Sequence, residues 1–243
     1  MLKNHKTVVL QFSGGKDSLA TLYVMRPYWE RITVLWVNTG DAFPETILQM
    51  KRIAAMVPHF LEVKADQPTQ VKRAGYPSDV VPVWDTELGR TCRDGRTNKV
   101  QTPMACCSEN LWEPMNRAVK ELGATMVIRG QRNAEAVKSP IRSGFFHDDI
   151  EYLFPIQDWD DDTVREYLHS EGVVLPDNYA WMNSSLDCKH CTAYLFENQG
   201  KFRYMKRKHP DLAQKVARIL AHHVYAANAE LNTARNIIDE STE

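Results

Sequence analysis

Apolar positions in the first third of the chain switch between two periods. Residues 7–12 and 32–37 are short β-rich runs, the first ending at Ser13-Gly14-Gly15 and the second at Asn38-Thr39-Gly40. Residues 17–25 and 45–56 carry apolar positions at helical spacing, and residues 60–63 form a third strand candidate. Strands alternating with helices in this way predict βαβ units on a parallel sheet. Right-handed crossovers then give an α/β fold: a doubly wound, mostly parallel sheet with helices on both faces. Later in the chain the pattern predicts helices over 111–122 and 160–171 and strands over 125–129 and 152–155. The acidic run 158–162 reads as a solvated helix start, where negative charge suits the dipole.

Two stretches stand apart. Residues 66–102 are rich in Pro, Gly, Asp and Arg with weak periodicity. They read as a long functional excursion, a lid or binding segment with at most one short helix. At the other end, Pro210 suits the first turn of a helix. Leu212, Val216, Ile219, Leu220, His223, Val224, Ala227 and Leu231 then share one helical face. The plain reading is a helix packed on the core, and the sharper one is a partner-binding or homodimer helix. The expected division is a nucleotide-binding domain over 1–195 and a basic, helical C-terminal extension over 196–243.

Composition narrows the class. The 243 residues carry 30 Lys+Arg against 31 Asp+Glu, a net charge of −1, with 43% hydrophobic residues. That is the balance of a folded globular chain and excludes disordered and low-complexity classes. It gives no global nucleic-acid signature, although local basic patches remain compatible. The N-terminal apolar run is too short for a signal-peptide core, and no run reaches the ~18 residues of a membrane span. The expectation is a soluble, cytoplasmic protein without membrane contact, so the five cysteines need a purpose other than disulfides.

The sharpest chemistry lies at the first strand-to-helix turn, Ser13-Gly14-Gly15-Lys16-Asp17-Ser18. Two glycines let backbone N–H groups approach an anion closely. The helix N-terminus adds its positive end, Lys16 adds a point charge suited to phosphate, and Ser13 and Ser18 add hydroxyls. Asp17 suits a metal ion or a helix cap. The spacing is not the Walker pattern, which needs four residues before its Gly-Lys. The bland alternative is a glycine-rich turn with no ligand.

These residues resemble the signature of the PP-loop ATP pyrophosphatases, which cleave ATP between the α and β phosphates. Three further runs resemble the PAPS reductase family: Asn38-Thr39-Gly40 with Phe43-Pro44-Glu45-Thr46, Gly130-Gln131-Arg132 after a strand, and Phe154-Pro155-Ile156-Gln157-Asp158-Trp159. The likeness covers about 7–195. It implies ATP with Mg²⁺, Ser13, Gly14, Gly15, Lys16, Asp17 and Ser18 holding pyrophosphate and metal, and Asn38, Gly130, Arg129 and Arg132 completing the nucleotide site. Lys16, Asp17 and Arg132 would be the catalytic set. On chemistry alone, Asn38 lies at the carboxyl end of a strand, where ligands bind in open α/β sheets. Arg129 and Arg132 offer bidentate forks for phosphate, or are solvated surface arginines.

Cys106-Cys107 and Cys188-Lys189-His190-Cys191 supply four thiolates from two distant segments. Four thiolates satisfy tetrahedral zinc or an iron–sulfur cluster. The arrangement resembles the [4Fe–4S] motif of the APS reductase branch, which implies a cluster on Cys106, Cys107, Cys188 and Cys191, with Zn²⁺ as the alternative. Cys92, between Arg90 and Arg93, is a bland loop cysteine or a sulfur-carrying nucleophile with a lowered pKa.

Two features depart from the reductases. Their Glu-Cys-Gly-x-His segment has no counterpart, since no cysteine follows Cys191. Asn110-Leu111 also stands where they carry an Arg-Lys pair. Reductases in turn have degraded loops, whereas Lys16 and Asp17 are both present here. The expectation is therefore genuine ATP cleavage that activates an acceptor for sulfur transfer. Nucleic-acid thiolation fits, whether DNA phosphorothioation or tRNA thiolation, with a sulfur-donor protein of the cysteine desulfurase type. The alternatives are a sulfonucleotide reductase that borrows an external thiol and a non-catalytic nucleotide- and cluster-binding subunit. The basic, aromatic-interleaved stretch from Lys201 to His209 suits single-stranded nucleic acid, or is a solvated helix start.

Overall fold

The computed structural model describes residues 2–92, 99–135, 139–186 and 188–241. Along the chain run β1 (Val8–Gln11), α1 (Lys16–Val24), β2 (Ile32–Asn38), α2 (Pro44–Met56), β3 (Phe60–Lys64), α3 (Gln67–Ala74) and β4 (Tyr76–Pro77). Next come α4 (Gly89–Cys92), β5 (Val100–Gln101), α5 (Pro103–Cys107), α6 (Glu113–Glu121), β6 (Met126–Ile128), β7 (Phe145–His147) and β8 (Ile150–Leu153). The chain closes with α7 (Asp161–Ser170), α8 (Leu195–Lys208) and α9 (Pro210–Glu240). Among the described residues, no helix is long and apolar enough to cross a membrane.

The chain forms two compact units. One comprises 1–65 with 111–186, and the other 66–110 with 187–243. These units cut the chain differently from the expected 1–195 and 196–243.

The first unit is the doubly wound sheet, in the order β3-β2-β1-β6-β8-β7. Its first five strands are parallel, and β7 adds an antiparallel edge through a hairpin with β8. The strands are nearly continuous apolar runs because both faces are covered. Leu10, Phe12, Val34, Trp36 and Ile128 pack on one face with Leu19 and Leu22 of α1, Met50 and Ile53 of α2, and Val164 and Leu168 of α7. Val9, Leu35, Val37 and Val127 face the other way, against Ala118 and Val119 of α6. Strand order reverses between β1 and β6, so the turns after these two strands open at the switch point where such sheets bind ligands.

The second unit overturns the reading of 66–102 as a loose excursion. That segment holds α3, α4, the parallel pair β4–β5 and a 3₁₀ turn, Val83–Asp85. Its strands are only two residues long, too short for a period to show. Their anchor is polar: Gln101 Nε2 donates to Gln70 Oε1 at 2.9 Å and to the Gly75 carbonyl. Helix α8 opens the helical extension expected over 196–243, and its cap is remote. Asp79 accepts from the Tyr194 and Leu195 N–H groups at 2.6 and 2.8 Å.

The tail helix begins at Pro210 as expected, but its apolar face is only partly covered. Val216 and His223 are buried, whereas Val224 and Leu231 are 57% and 56% exposed. At 1.5 Å per residue, the 14 residues of α8 reach along less than half of the 31-residue α9.

Candidate functional site

The phosphate loop is built from its own hydroxyls. Gly14 N–H donates to Ser18 Oγ at 3.1 Å, and Gly15 N–H to Ser13 Oγ at 3.3 Å. Lys16 N–H donates to the Tyr179 hydroxyl at 2.6 Å. Three consecutive N–H groups at the start of α1 thus each donate to a side-chain hydroxyl, in the place where a helix N-terminus offers N–H groups to an anion. Gly15 caps α1 with no side-chain cap of its own. Gly14 sits at φ +84, a backbone conformation that favours glycine, whereas the nearest atom to a β-carbon there is the flexible end of Met50, Cε at 2.6 Å, which can move aside.

Behind the loop lies an ionic cluster. Lys16 is only 2% exposed and Arg132 only 5%. Lys16 Nζ lies 3.1 Å from Asp17 Oδ2 and 3.0 Å from Asp161 Oδ1. Arg132 Nε lies 2.7 Å from Asp17 Oδ1, and its Nη2 donates to Asp161 Oδ1 at 2.7 Å. Burial pushes the Asp161 carboxyl up, but the hydrogen bonds and charges of Lys16 and Arg132 together outweigh it and hold the group below the usual range. Glu135 accepts from the Arg132 N–H at 3.0 Å, and burial pushes its carboxyl up. The catalytic set expected from sequence, Lys16, Asp17 and Arg132, is therefore brought together around one point.

Other expected site residues make contacts within the fold. Gly130 serves packing: a β-carbon there would lie 2.7 Å from the Asp17 carbonyl oxygen. Asn38 Oδ1 accepts from the Gly40 N–H and its Nδ2 donates to Glu62, so it holds its own turn. Arg129 donates from Nε to Gln11 Oε1 at 2.6 Å and lies 5.3 Å from the Tyr152 ring centre. Burial pushes its pKa down. Its partners are not those of Arg132.

Sequence reasoning missed Asp161 and Tyr179. The acidic run is not merely a solvated helix start, for Asp160 caps α7 by accepting from the Thr163 N–H while Asp161 turns into the cluster. Tyr179 carries no local signal, since its partner is 163 positions away. The adjoining cleft is lined by Ser13, Gly14, Glu45, Thr46, Gln49, Pro176, Asn178, Tyr179, Ser185 and Leu186.

The cysteines lie in the second unit. Thr102 caps α5, accepting from the Ala105 N–H at 3.1 Å, and thereby presents Cys106 and Cys107. A π-helical turn, Ser108–Trp112, follows. Asn110 Nδ2 donates to the Cys106 carbonyl, the group a regular helix would offer to the Asn110 N–H. Burial first, then the nearby Cys107 and Cys191, push the Cys106 thiol up to about 12. Cys188 is held through its carbonyl, which accepts from Lys201 Nζ at 2.8 Å and from the Cys191 N–H at 3.1 Å. The donor set suits a four-thiolate centre. Among the described residues, however, no three His, Cys, Asp or Glu side chains are spaced around a common point. Cys92 is exposed, and Arg93 lies outside the described residues.

The reading of residues 201–209 as one basic and aromatic surface needs correction. Lys201 and Tyr204 are 0% and 1% exposed, because Lys201 serves the Cys188 carbonyl and Tyr204 fills the core of its unit. Arg203, Lys206, Arg207 and Lys208 remain exposed.

The family model described as "Phosphoadenosine phosphosulfate reductase domain" matches residues 7–194. The phosphoadenosine 5'-phosphosulfate reductases of Shigella flexneri serotype 5b (strain 8401) and Salmonella typhi are 25% and 26% identical over 211 residues, 82% of this chain and 78% of each relative. A phosphate complex of phosphoadenylyl-sulfate (PAPS) reductase from Candida auris is similar in fold, with a TM-score of 0.54 at 19% identity, covering 76% of this chain and 83% of that one.

Proposed function

The chain belongs to the phosphoadenosine phosphosulfate reductase domain family, and on that footing we propose that it is a nucleotide-dependent enzyme of sulfur chemistry that cleaves ATP to AMP and pyrophosphate. The observation that carries this reading is the intact loop, with Lys16 buried beside Arg132 and three N–H groups aimed at oxygens. In this reading an acceptor oxygen attacks the α-phosphorus, the bond to the α,β-bridging oxygen breaks, pyrophosphate leaves and the adenylyl group stays on the acceptor; AMP then leaves when a sulfur nucleophile displaces it, or is formed directly when water is the acceptor. Lys16 and Arg132 hold the charge that develops on the leaving pyrophosphate, which is the electrostatic part of the catalysis. Asp17 would hold Mg²⁺, which when bound neutralises phosphate charge.

Cys106, Cys107, Cys188 and Cys191 would hold a [4Fe–4S] cluster, or Zn²⁺ as the alternative. A single-stranded nucleic acid reached by Lys206, Arg207 and Lys208 is the acceptor this reading favours.

A second reading has its own support. The family model and the curated relatives are named as phosphosulfate reductases, which favours reduction of a sulfonucleotide with an external thiol. Product analysis separates the two. Incubation with ATP and Mg²⁺ should yield AMP and pyrophosphate, and Lys16→Ala should reduce the rate by ~10²–10³. Sulfite released from phosphoadenylyl sulfate, with ATP untouched, would establish the reductase instead.

A further inference from the structure

Lys16 is held at both ends. Its N–H donates to the Tyr179 hydroxyl at 2.6 Å, and its ammonium lies 3.0 Å from Asp161 Oδ1. These two holders are themselves joined. Arg165, one turn beyond Asp161 on α7, lies 3.8 Å from Asp161 Oδ2, and its guanidinium carbon lies 5.9 Å from the Tyr179 ring centre. Lys16, Asp161, Arg165 and Tyr179 thus close a ring around the start of α1.

Tyr179 rides on a self-contained strap. It belongs to a 3₁₀ turn, Asp177–Ala180. Asn178 is buried; its Nδ2 donates to the Ser184 carbonyl, and its own carbonyl accepts from the Trp181 and Met182 N–H groups. Arg165 ties the strap to α7 by donating to Asn183 Oδ1 at 2.8 Å. The strap lies on the crest of the loop, where a β-carbon on Gly15 would meet Ser185 Cβ at 3.2 Å and the Tyr179 hydroxyl at 3.3 Å.

The first N–H groups of a helix are where an anion's oxygen sits, and in this chain the Tyr179 oxygen stands there. A hydrogen bond to a charged acceptor is roughly twice as strong as one to a neutral hydroxyl. We propose that Tyr179, Arg165 and Asp161 form a latch that closes the phosphate loop, and that a nucleotide opens it by replacing the hydroxyl at the Lys16 N–H and Asp161 at the Lys16 ammonium. The proposal rests on reading the loop as a phosphate site. It makes Tyr179 a competitor of the ligand: the closed population reduces apparent affinity by the fraction that is open.

Calorimetric titration of the full chain with inorganic pyrophosphate and with α,β-methylene-ATP tests this. Tyr179→Phe should bind both about 3- to 10-fold tighter, the range expected when one neutral hydrogen bond ceases to compete. Arg165→Ala should shift affinity the same way. In the wild-type chain, hydrogen exchange of residues 177–184 should speed up when ligand is added. Equal or weaker binding by Tyr179→Phe, or a strap that becomes more protected, overturns the latch. If the wild type binds and Lys16→Ala weakens it while Tyr179→Phe changes nothing, the loop reading stands and the latch alone falls. If neither the wild type nor Tyr179→Phe binds either probe, both fall together, whereas binding by Tyr179→Phe alone supports the latch.

Discussion

Gly130 lies so close to Asp17 that a β-carbon on it would stand 2.7 Å from the Asp17 carbonyl oxygen and 2.9 Å from the Ser18 N–H. The obstacle is backbone on both counts, so no side-chain rotation relieves it. The end of β6 therefore sets the position of the first turn of α1, and with it the phosphate loop.

Gly130→Ala should displace that turn. Overpacking of this kind costs about 1–3 kcal/mol, so a lower urea midpoint is expected together with weaker nucleotide binding. A Gly130→Ala variant with unchanged midpoint and unchanged affinity would show that the contact relaxes elsewhere.

Sequence and structure agree on the parallel core for a physical reason. The strands at Val8–Gln11 and Ile32–Asn38 are buried on both faces, so apolar identity alone marks them. The turn from Ser13 to Ser18 was legible as a strand-to-helix loop because its signals are local: glycine, lysine and hydroxyl lie within six consecutive residues. Asp161 and Tyr179 were not legible, since each earns its place through a contact more than 140 positions away. The same limit hid the remote cap of α8 at Asp79 and the burial of Lys201, whose ammonium faces a backbone carbonyl rather than water.

The cysteine assignment predicts distinct outcomes for single variants. Anaerobically prepared protein should carry about four irons per chain if the four thiolates hold a cubane cluster. Cys191→Ser should lose most of that iron and lower the melting temperature, because metal-binding free energy is in part folding free energy. Cys92→Ser should keep it, its sulfur being exposed and outside the set. Full iron in Cys191→Ser would refute the ligand assignment, and one zinc per chain in wild type would replace the cluster.

His223 predicts an acid sensitivity of the tail. Burial, and then its neighbour His222, push its imidazole down from 6.5 to about 4. The unfolded chain takes up a proton below about 6.5 while the folded chain does not until near 4. Stability is thus full above that upper value and is lost as pH falls through the window, by an amount on the order of 2 kcal/mol. Urea midpoints at pH 7 and pH 5 should differ accordingly, and His223→Gln should flatten the difference. An equal slope in the variant would place the sensitivity elsewhere.

The exposed end of α8 predicts a salt signature. If Lys206, Arg207 and Lys208 contact a single strand, log K should fall with log salt by about 0.7 per phosphate neutralised. Replacing all three with Ala should flatten that slope. Lys201→Ala should instead act on stability, because that side chain is buried against the Cys188 carbonyl. Binding that is indifferent to salt would remove nucleic acid from the account.

Lys16 and Arg132 meet Asp17 and Asp161 as an internal salt whose two cations and two anions cancel. Such a cluster behaves as an ion exchanger rather than as a bare positive patch. An arriving anion must dislodge resident counterions, and a singly charged species offers too little to replace two carboxylates. A polyphosphate presents several charges on one rigid chain and meets both cations at once. If the loop binds phosphate as proposed, selectivity for polyanions over chloride or acetate is the expected consequence of this neutralisation in advance.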